Sequence, residues 1–300
     1  MIVDGRTVGI ELEQRIAEKM SAYKIRSEVL SEKDLAAETQ VQESKNAVSK
    51  FFFKYPPHMR KSRLGNGVLE YDEDGDLILD RSEERSILIE HSTATELKLV
   101  GLQIWRGALL LGDYILSHPD IFQNKTVLEL GSGVGFDSII AGMSAKEVIC
   151  SDINLGGILK LIEKNFERNK VLIKSNVTIT ELDFLNTDWN TTLKNKVTKV
   201  DVIMAADVIY DDKITDGFVK TLTKLLDLPN VRQAYVAMEK RYVFTITDLD
   251  SVAPMYEEFL RCIKRRKLNW SIEEIDLDFP QYFHYQRLSQ LLLMKIEKRH

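Results

Sequence analysis

Four carboxylates in this chain of 300 residues stand at the ends of apolar runs: Glu129 in "VLELG", Asp152 in "EVICSD", Asp183 in "ELDF" and Asp207 in "AADVIYDD". A carboxylate placed there can accept hydrogen bonds from both hydroxyls of a ribose, accept from an exocyclic amine, or face a cation. Asp152 follows the glycines of "GSGVG" by about 20 residues, the interval at which a ribose-binding acid follows a glycine loop. The plainer duty for such an Asp is to cap the next helix.

The loop narrows the ligand. A dinucleotide fingerprint, G-x-G-x-x-G, needs its third glycine at position 136, where this chain has Phe136, and the third glycine is instead Gly135. No G-x-x-x-x-G-K-[ST] phosphate loop is present, and Ser132 sits between the first two glycines rather than at the centre of a nucleophile elbow. Gly131 and Gly133 let a ligand approach the backbone closely, or simply make a tight turn, and the two duties are compatible. Glu129, just before the loop, would repel a pyrophosphate and favour a cation. Asp183 suits the amine edge of an adenine. A nucleoside with a positively charged aminoacyl sulfonium and no phosphate, S-adenosylmethionine, meets all three requirements.

These residues need a scaffold that brings them to one edge. From residue 101 onward, strand-like and helix-like periods alternate: "TVLELG", "EVICSD", "NVTITELD", "KVDVIMAAD", "QAYVAME", "NWSIEEIDLDF" and "RLSQLLLMKIE" read as seven strands. Between them, Leu155, Ile158, Leu159, Ile162 and Phe166 share one helical face, Ile214 to Leu225 another, and residues 252–266 form a further helix. Trp105 is placed in a helix within "GLQIWRGALLLGDYILS", and a short helix begins near Gly135. The expected fold is α/β, a doubly wound, mostly parallel, Rossmann-like seven-strand sheet, and its ligand belongs at the carboxyl ends of the strands. We place the domain at residues 63–300, including a hairpin turning at Asp74-Gly75 within "GVLEYDEDGDLILD". The acids around that turn do not make an EF-hand loop, because Gly75 is fourth rather than sixth. Residues 1–62 read as an N-terminal extension, partly disordered and with a single helix at most. In "KFFFKYPPHMRKSR" the phenylalanines dock on the domain or on a partner, and the first is favoured.

Composition excludes several classes. Forty-one basic and 46 acidic side chains give a formal charge of -5, unlike a protein that binds nucleic acid by bulk charge. Cys150 and Cys262 lack metal spacing and read as buried thiols of a reducing compartment. Five scattered histidines show no metal motif, so no metal is expected. The start lacks a signal-peptide pattern, and no apolar run approaches the roughly 18 residues of a membrane span. The basic stretch "RCIKRRKLNW" is an import signal, an acidic-partner contact or, the favoured reading, a helix end whose cations complement the dipole.

The combination of "VLELGSGVG", "CSDIN", "ELDFLNTDW" and "AADVIYDD" resembles the seven-strand class I methyltransferases. In particular it resembles the protein-lysine methyltransferases marked by D-x-x-Y after the fourth strand, here Asp207-Val208-Ile209-Tyr210. The likeness covers residues 68–296, and the first sixty contribute nothing to it. It implies S-adenosylmethionine as cofactor, contacted by Trp105, Glu129, Gly131, Gly133, Asp152, Asp183, Phe184 and Ala206, with Asp207 and Tyr210 catalytic. Trp105 read from the residues alone is equally a core side chain. A lysine attacks only as the neutral amine, and deprotonation at pH 7 costs about 4.6 kcal/mol from its reference pKa. Asp207 would act as orienter of the nitrogen, alone or also as acceptor of its proton, and Tyr210 as an aromatic wall or a hydrogen-bond partner. The competing reading has Asp207 capping the next helix and Tyr210 packing on the sheet. Glu239 and Arg241 line the acceptor side or form an exposed ion-pairing surface.

Base-amino methylation would want (N/D)-P-P-(Y/F/W) after the fourth strand, and arginine methylation a double-glutamate loop. Neither is present. Histidine methylation and a non-catalytic cofactor-binding module remain as alternatives. The resemblance further implies a protein substrate, in this branch a nuclear nucleic-acid-binding protein of the Kin type, with chaperone contacts among relatives. It also implies a monomer in nucleus or cytoplasm, with no direct nucleic-acid or membrane binding.

Overall fold

The computed structural model describes residues 24–27, 29, 37–41, 46–59, 84–231, 233–245 and 250–299. The hairpin expected at Asp74-Gly75 lies outside them.

Seven strands form the central sheet: β1 (Thr126–Leu130), β2 (Glu147–Asp152), β3 (Asn176–Glu181), β4 (Val202–Ala206), β5 (Gln233–Glu239), β6 (Trp270–Glu274) and β7 (Leu291–Lys298). Their spatial order is β6-β7-β5-β4-β1-β2-β3. β1 to β5 pair in parallel, whereas β7 runs antiparallel to both β5 and β6. The order reverses beside β1, leaving a crevice at the carboxyl ends of β1 and β4.

Among the described residues, six helices longer than one turn cover the sheet: α1 (Arg106–Ser117), α2 (Phe136–Ala141), α3 (Ile158–Arg168), α4 (Thr191–Val197), α5 (Asp212–Leu226) and α6 (Pro254–Arg265). Side chains alternate across a strand, so β4 sends Val202 and Met204 to one face and Ile203 and Ala205 to the other. The first face packs on α1, α2 and α3 through residues such as Leu109, Ile139 and Ile162, and the second on α4, α5 and α6 through Leu193, Phe218 and Phe259. Both faces are therefore dry, which explains why the parallel strands read as nearly continuous apolar runs. The short helix α4, which the sequence reading passed over, starts at Asn190, whose side chain accepts from the Leu193 N–H.

Two expectations change. The strand Asn46–Lys54 falls inside the segment expected as an extension, yet it pairs with Glu84–Ser92 and buries Phe51 and Phe53 in the core, against Phe136 and Phe283. Each such phenylalanine contributes about 1.5–3 kcal/mol, so the packed domain begins well before residue 62. Asn165 of α3 and Asn169, its C-cap, extend this attachment by exchanging hydrogen bonds with the backbone of Glu90 and Leu88. Leu97–Ser117 has the length and mean hydropathy (1.3) of a membrane span, but 72% of that window is buried within the fold. Extended backbone around Gln103 and Trp105 breaks it in two. Cys150 and Cys262 are buried free thiols, as read from their spacing.

Candidate active site

All ten residues named from the sequence line one cleft of about 1000 Å³ at the carboxyl edge of the sheet. The glycine loop forms its floor. Gly133 has a φ of +55°, and a Cβ there would stand 2.9 Å from the Gly101 carbonyl oxygen, so no larger residue fits without moving backbone. Ser132 fastens the loop to β2, its N–H and hydroxyl both donating to the Ser151 carbonyl at 3.0 and 2.7 Å.

Asp152 does not cap α3, whose N-cap is Gly157. Its carboxylate accepts from the Gly133 N–H and from the Ile153 N–H, each at 2.7 Å. It is thereby held at the loop with capacity left to accept from a ribose. Burial pushes its pKa up to about 7, against the lowering effect of those two N–H donors. Asp183 is half-buried, and its Oδ1 accepts from the Leu185 N–H at 2.8 Å beside Phe184. Glu129 proves less simple than a free anion facing a cation. It is 2% exposed, accepts from the Ser138 hydroxyl, and burial lifts its pKa to about 8. Burial thus favours its protonated form, and a cation held beside it would favour the anion.

Trp105 is not helical. It is the N-cap of α1, in extended conformation, and its indole N–H donates to the Val100 carbonyl at 3.0 Å. Arg241 lies over its ring at 5.1 Å, a cation–π contact that fixes the ring plane. This clamps the indole across the mouth of the cleft.

Asp207 follows β4 with a φ of +52°, a left-handed conformation that costs a non-glycine residue energy. It caps a helix, but not the next one: its Oδ2 accepts from Gly107 N–H of α1 at 2.7 Å, and its Oδ1 from Glu239 N–H of β5 at 3.2 Å. The next helix, α5, is capped by Asp211. A Cβ at Gly107 would lie 2.5 Å from Asp207 Oδ2, so glycine is required where α1 meets the carboxylate. Burial raises the Asp207 pKa to about 6 in spite of those donors and the nearby Arg241, leaving it ionised at pH 7.

A second cavity of about 700 Å³ opens on the far side of Trp105, Asp207 and Tyr210, with Met238, Glu239, Arg241, Met255 and Tyr256 on its walls. Glu239 pairs there with Arg106 at 3.2 Å, both side chains largely buried, so it is not an exposed surface acid. Tyr210, 43% exposed, stands between the two cavities rather than packing on the sheet. Ile25 also lines this cavity; its carbonyl accepts from Gln103 Nε2 at 3.0 Å, and Ser27 donates to Ile104. The N-terminal segment, mute in the sequence reading, thus stitches onto the strip that covers the cleft.

A family model described as lysine methyltransferase matches residues 82–266. The chain belongs to the lysine methyltransferase family. Methyltransferase-like protein 22 of Homo sapiens is 38% identical over 70% of this chain and 57% of its own, and that of Mus musculus is 35% identical over 80% and 67%. The protein-lysine N-methyltransferase EEF2KMT of Mus musculus is 27% identical over 71% of this chain and 61% of its own. This chain therefore spans somewhat more than half the length of the human relative. Family enzymes use S-adenosylmethionine, and the cleft fits that molecule: it offers close backbone approach at Gly133, acceptors for a ribose at Asp152, and carboxyl groups rather than cations around the loop.

Sequence reasoning missed Gly107, Arg106, Gln103, Asp137 and Ser138. Only "WRG" before an apolar helix signalled the first two, as a glycine in a first turn. The others acquire meaning from partners distant in the chain.

Proposed function

We propose that this chain is a protein-lysine N-methyltransferase whose cofactor lies in the larger cleft and whose acceptor lysine enters through the smaller cavity. One observation carries this reading. The two cavities share Val100, Trp105, Asp207 and Tyr210, so a group held in one and a side chain inserted through the other meet at the D-x-x-Y residues.

The cofactor supplies a methyl group on a positively charged sulfur. The residues of this chain do the rest. Trp105, Met238 and Met255 give the lysine stem an apolar slot, whose desolvation lowers the amine pKa and offsets part of the 4.6 kcal/mol cost of deprotonation. Asp207, ionised and pinned by two backbone N–H donors, keeps lone pairs toward the meeting point, where it orients the nitrogen and accepts its proton. Tyr210 closes the passage, and alignment for in-line displacement contributes several kcal/mol more. Arg106 and Arg241 place positive charge near the entrance. Glu239 neutralises the first, and the charge of Arg241 lies against the Trp105 ring.

As target we carry forward a nucleic-acid-binding protein of the Kin type, met in nucleus or cytoplasm by a monomeric enzyme, with chaperones as further contacts. The resemblance to the methyltransferase-like protein 22 branch supports it. Labelled-methyl transfer into proteins of an extract tests the reading. The wild-type chain should label a lysine, and Tyr210→Ala and Asp207→Ala should fall far below it while still binding adenosylhomocysteine. Equal labelling by wild type and Asp207→Ala would remove Asp207 from the chemistry. Label surviving Lys→Arg substitution of the target would point to histidine instead.

A further inference from the structure

β5 runs out through Glu239-Lys240-Arg241-Tyr242, and its three charged side chains have different surroundings. Glu239, largely buried, pairs with Arg106 at 3.2 Å. Lys240 pairs with Glu274 at 3.4 Å and lies over the ring of Tyr256, whose hydroxyl donates to the same Glu274. Arg241 is exposed and lines the smaller cavity, and its partner among the described residues is the Trp105 ring, with no carboxylate against it. The acids around it are engaged elsewhere: Glu239 with Arg106, and Asp207 with the Gly107 and Glu239 N–H groups. On the rim beside Leu97, Lys98 has Glu96 at 3.1 Å. The other cations at this mouth thus each have a carboxylate, and Arg241 has none.

A guanidinium presents its N–H donors in a planar fork that matches a carboxylate through two parallel hydrogen bonds. A ring face attracts its charge but gives the fork no such partner. The sign of that charge restricts what can enter with the acceptor lysine. The lysine arrives as a cation, and a lysine within a basic run would bring further cations against Arg241, where like charges repel. A carboxylate beside the lysine turns the same contact into attraction, and complementarity of this kind is what selects one partner over another.

We propose that Arg241 sets substrate specificity by receiving the side-chain carboxylate of an Asp or Glu close to the acceptor lysine, so that the substrate is a lysine in an acidic context rather than one in a basic tail. Arg241 and Asp207 line one cavity of about 700 Å³. An extended chain covers about 3.3–3.6 Å per residue, which puts the acid within about three residues of the lysine. Leu97 and Tyr210, which line the same cavity, are 42% and 43% exposed, and Tyr242 beside Arg241 is 53% exposed, so the residues between lysine and acid meet apolar surface. This rests on the acceptor route proposed above and adds to it the context in which the lysine is chosen.

The probe is the extract protein that carries the most strongly labelled lysine, expressed in three versions: unchanged, with the Asp and Glu residues within that reach of the lysine changed to Asn and Gln, and with them changed to Lys. Each version is methylated by the wild-type chain, by Arg241→Met and by Arg241→Glu. The wild type should prefer the unchanged protein to the amide version by about tenfold or more in kcat/KM, the loss expected of a charge-assisted hydrogen bond. The preference should lie in KM rather than kcat and shrink as salt is added. In Arg241→Met it should fall below about twofold, and Arg241→Glu should methylate the lysine version better than the unchanged one. Each comparison sets versions of one substrate against one enzyme, so any general loss of activity from releasing the Trp105 ring cancels. A labelled lysine with no acid within reach, or the same preference in wild type and Arg241→Met, would overturn the proposal and leave the acceptor route standing. A wild type that labels no lysine at all would overturn that route and this inference with it.

Discussion

Asp113 on α1 and Asp137 on α2 are both buried carboxyls on helices that pack against one another, and they have opposite surroundings. Asp113 accepts from Tyr282 N–H, Phe283 N–H, the Tyr285 hydroxyl and Arg287, at distances from 2.7 to 3.0 Å. Its charge is spent on tying the segment before β7 to α1. Asp137 has an oxygen without a partner among the described residues, lines the cleft, and is acted on by the charges of Glu129, Asp207 and Asp113. The contrast separates a buried carboxyl that ties segments of the fold together from one left with an unpartnered oxygen beside the cleft. In the first the chain supplies the donors. In the second it withholds them, because burying a charge without a partner is tolerable only while a proton sits on it.

The largest effect that sharpens this contrast belongs to the cleft. Replacing Asp207 by Ala should lower methyl transfer by about 10²–10⁴, the usual contribution of a positioned acid or base, measured with labelled cofactor at saturating substrate. Next comes the fold-building charge. Asp113→Ala leaves the largely buried Arg287 without its carboxylate, and chemical denaturation should show a loss of about 3–5 kcal/mol, with affinity for adenosylhomocysteine unchanged in the folded fraction. If Asp113→Ala instead spared stability and weakened the ligand, the distinction between the two acids would break. Asp152→Ala should reduce adenosylhomocysteine affinity by about 10–100-fold, from hydrogen bonds to a charged acceptor worth about 1.5–3 kcal/mol.

The pH response follows the same division. Glu129, Asp152 and Asp207 have folded-state pKa values raised to about 8, 7 and 6. A carboxyl raised in the folded state binds more protons there than in the unfolded chain, so its stabilising contribution is complete below the unfolded value and disappears as pH climbs through the folded one. The ligand-free protein should therefore melt progressively lower between about pH 4 and pH 8, and adenosylhomocysteine should flatten that slope by taking over from the protons. A ligand-free melting temperature that rose across this window would contradict the desolvated cluster. The smallest change belongs to the surface: Arg265, 58% exposed, pairs with Asp216 and Glu258, and Arg265→Ala should cost no more than about 1 kcal/mol. The stretch "RCIKRRKLNW" ends α6, whose last turn carries Lys264 and Arg265.

How much was readable in advance depended on how local each signal was. Strands β1, β2, β4 and β5 announced themselves because parallel strands covered on both faces are apolar along nearly their whole length, and Asp152 and Asp207 follow directly from where those runs stop. Trp105 was misplaced by a few residues, since an apolar period cannot show that extended backbone interrupts it. Phe51 and Phe53 were readable as aromatics with a docking preference, but the strand they belong to needs Glu84–Ser92 as its partner, more than thirty residues away. Gly107 looked like an ordinary glycine until Asp207 was placed against it.

By itself, then, the order of residues determined the alternation of strand and helix, the glycine loop without phosphate-binding geometry, and the acids that end β2 and β4, because each depends on neighbours a few positions apart. Only the tertiary structure decided which buried carboxyls are satisfied and which are not. Satisfaction is a property of the donors that distant segments bring within 3 Å, and Asp113 and Asp137 are the same residue type in similar apolar stretches until β7 and its preceding loop fold back onto one of them.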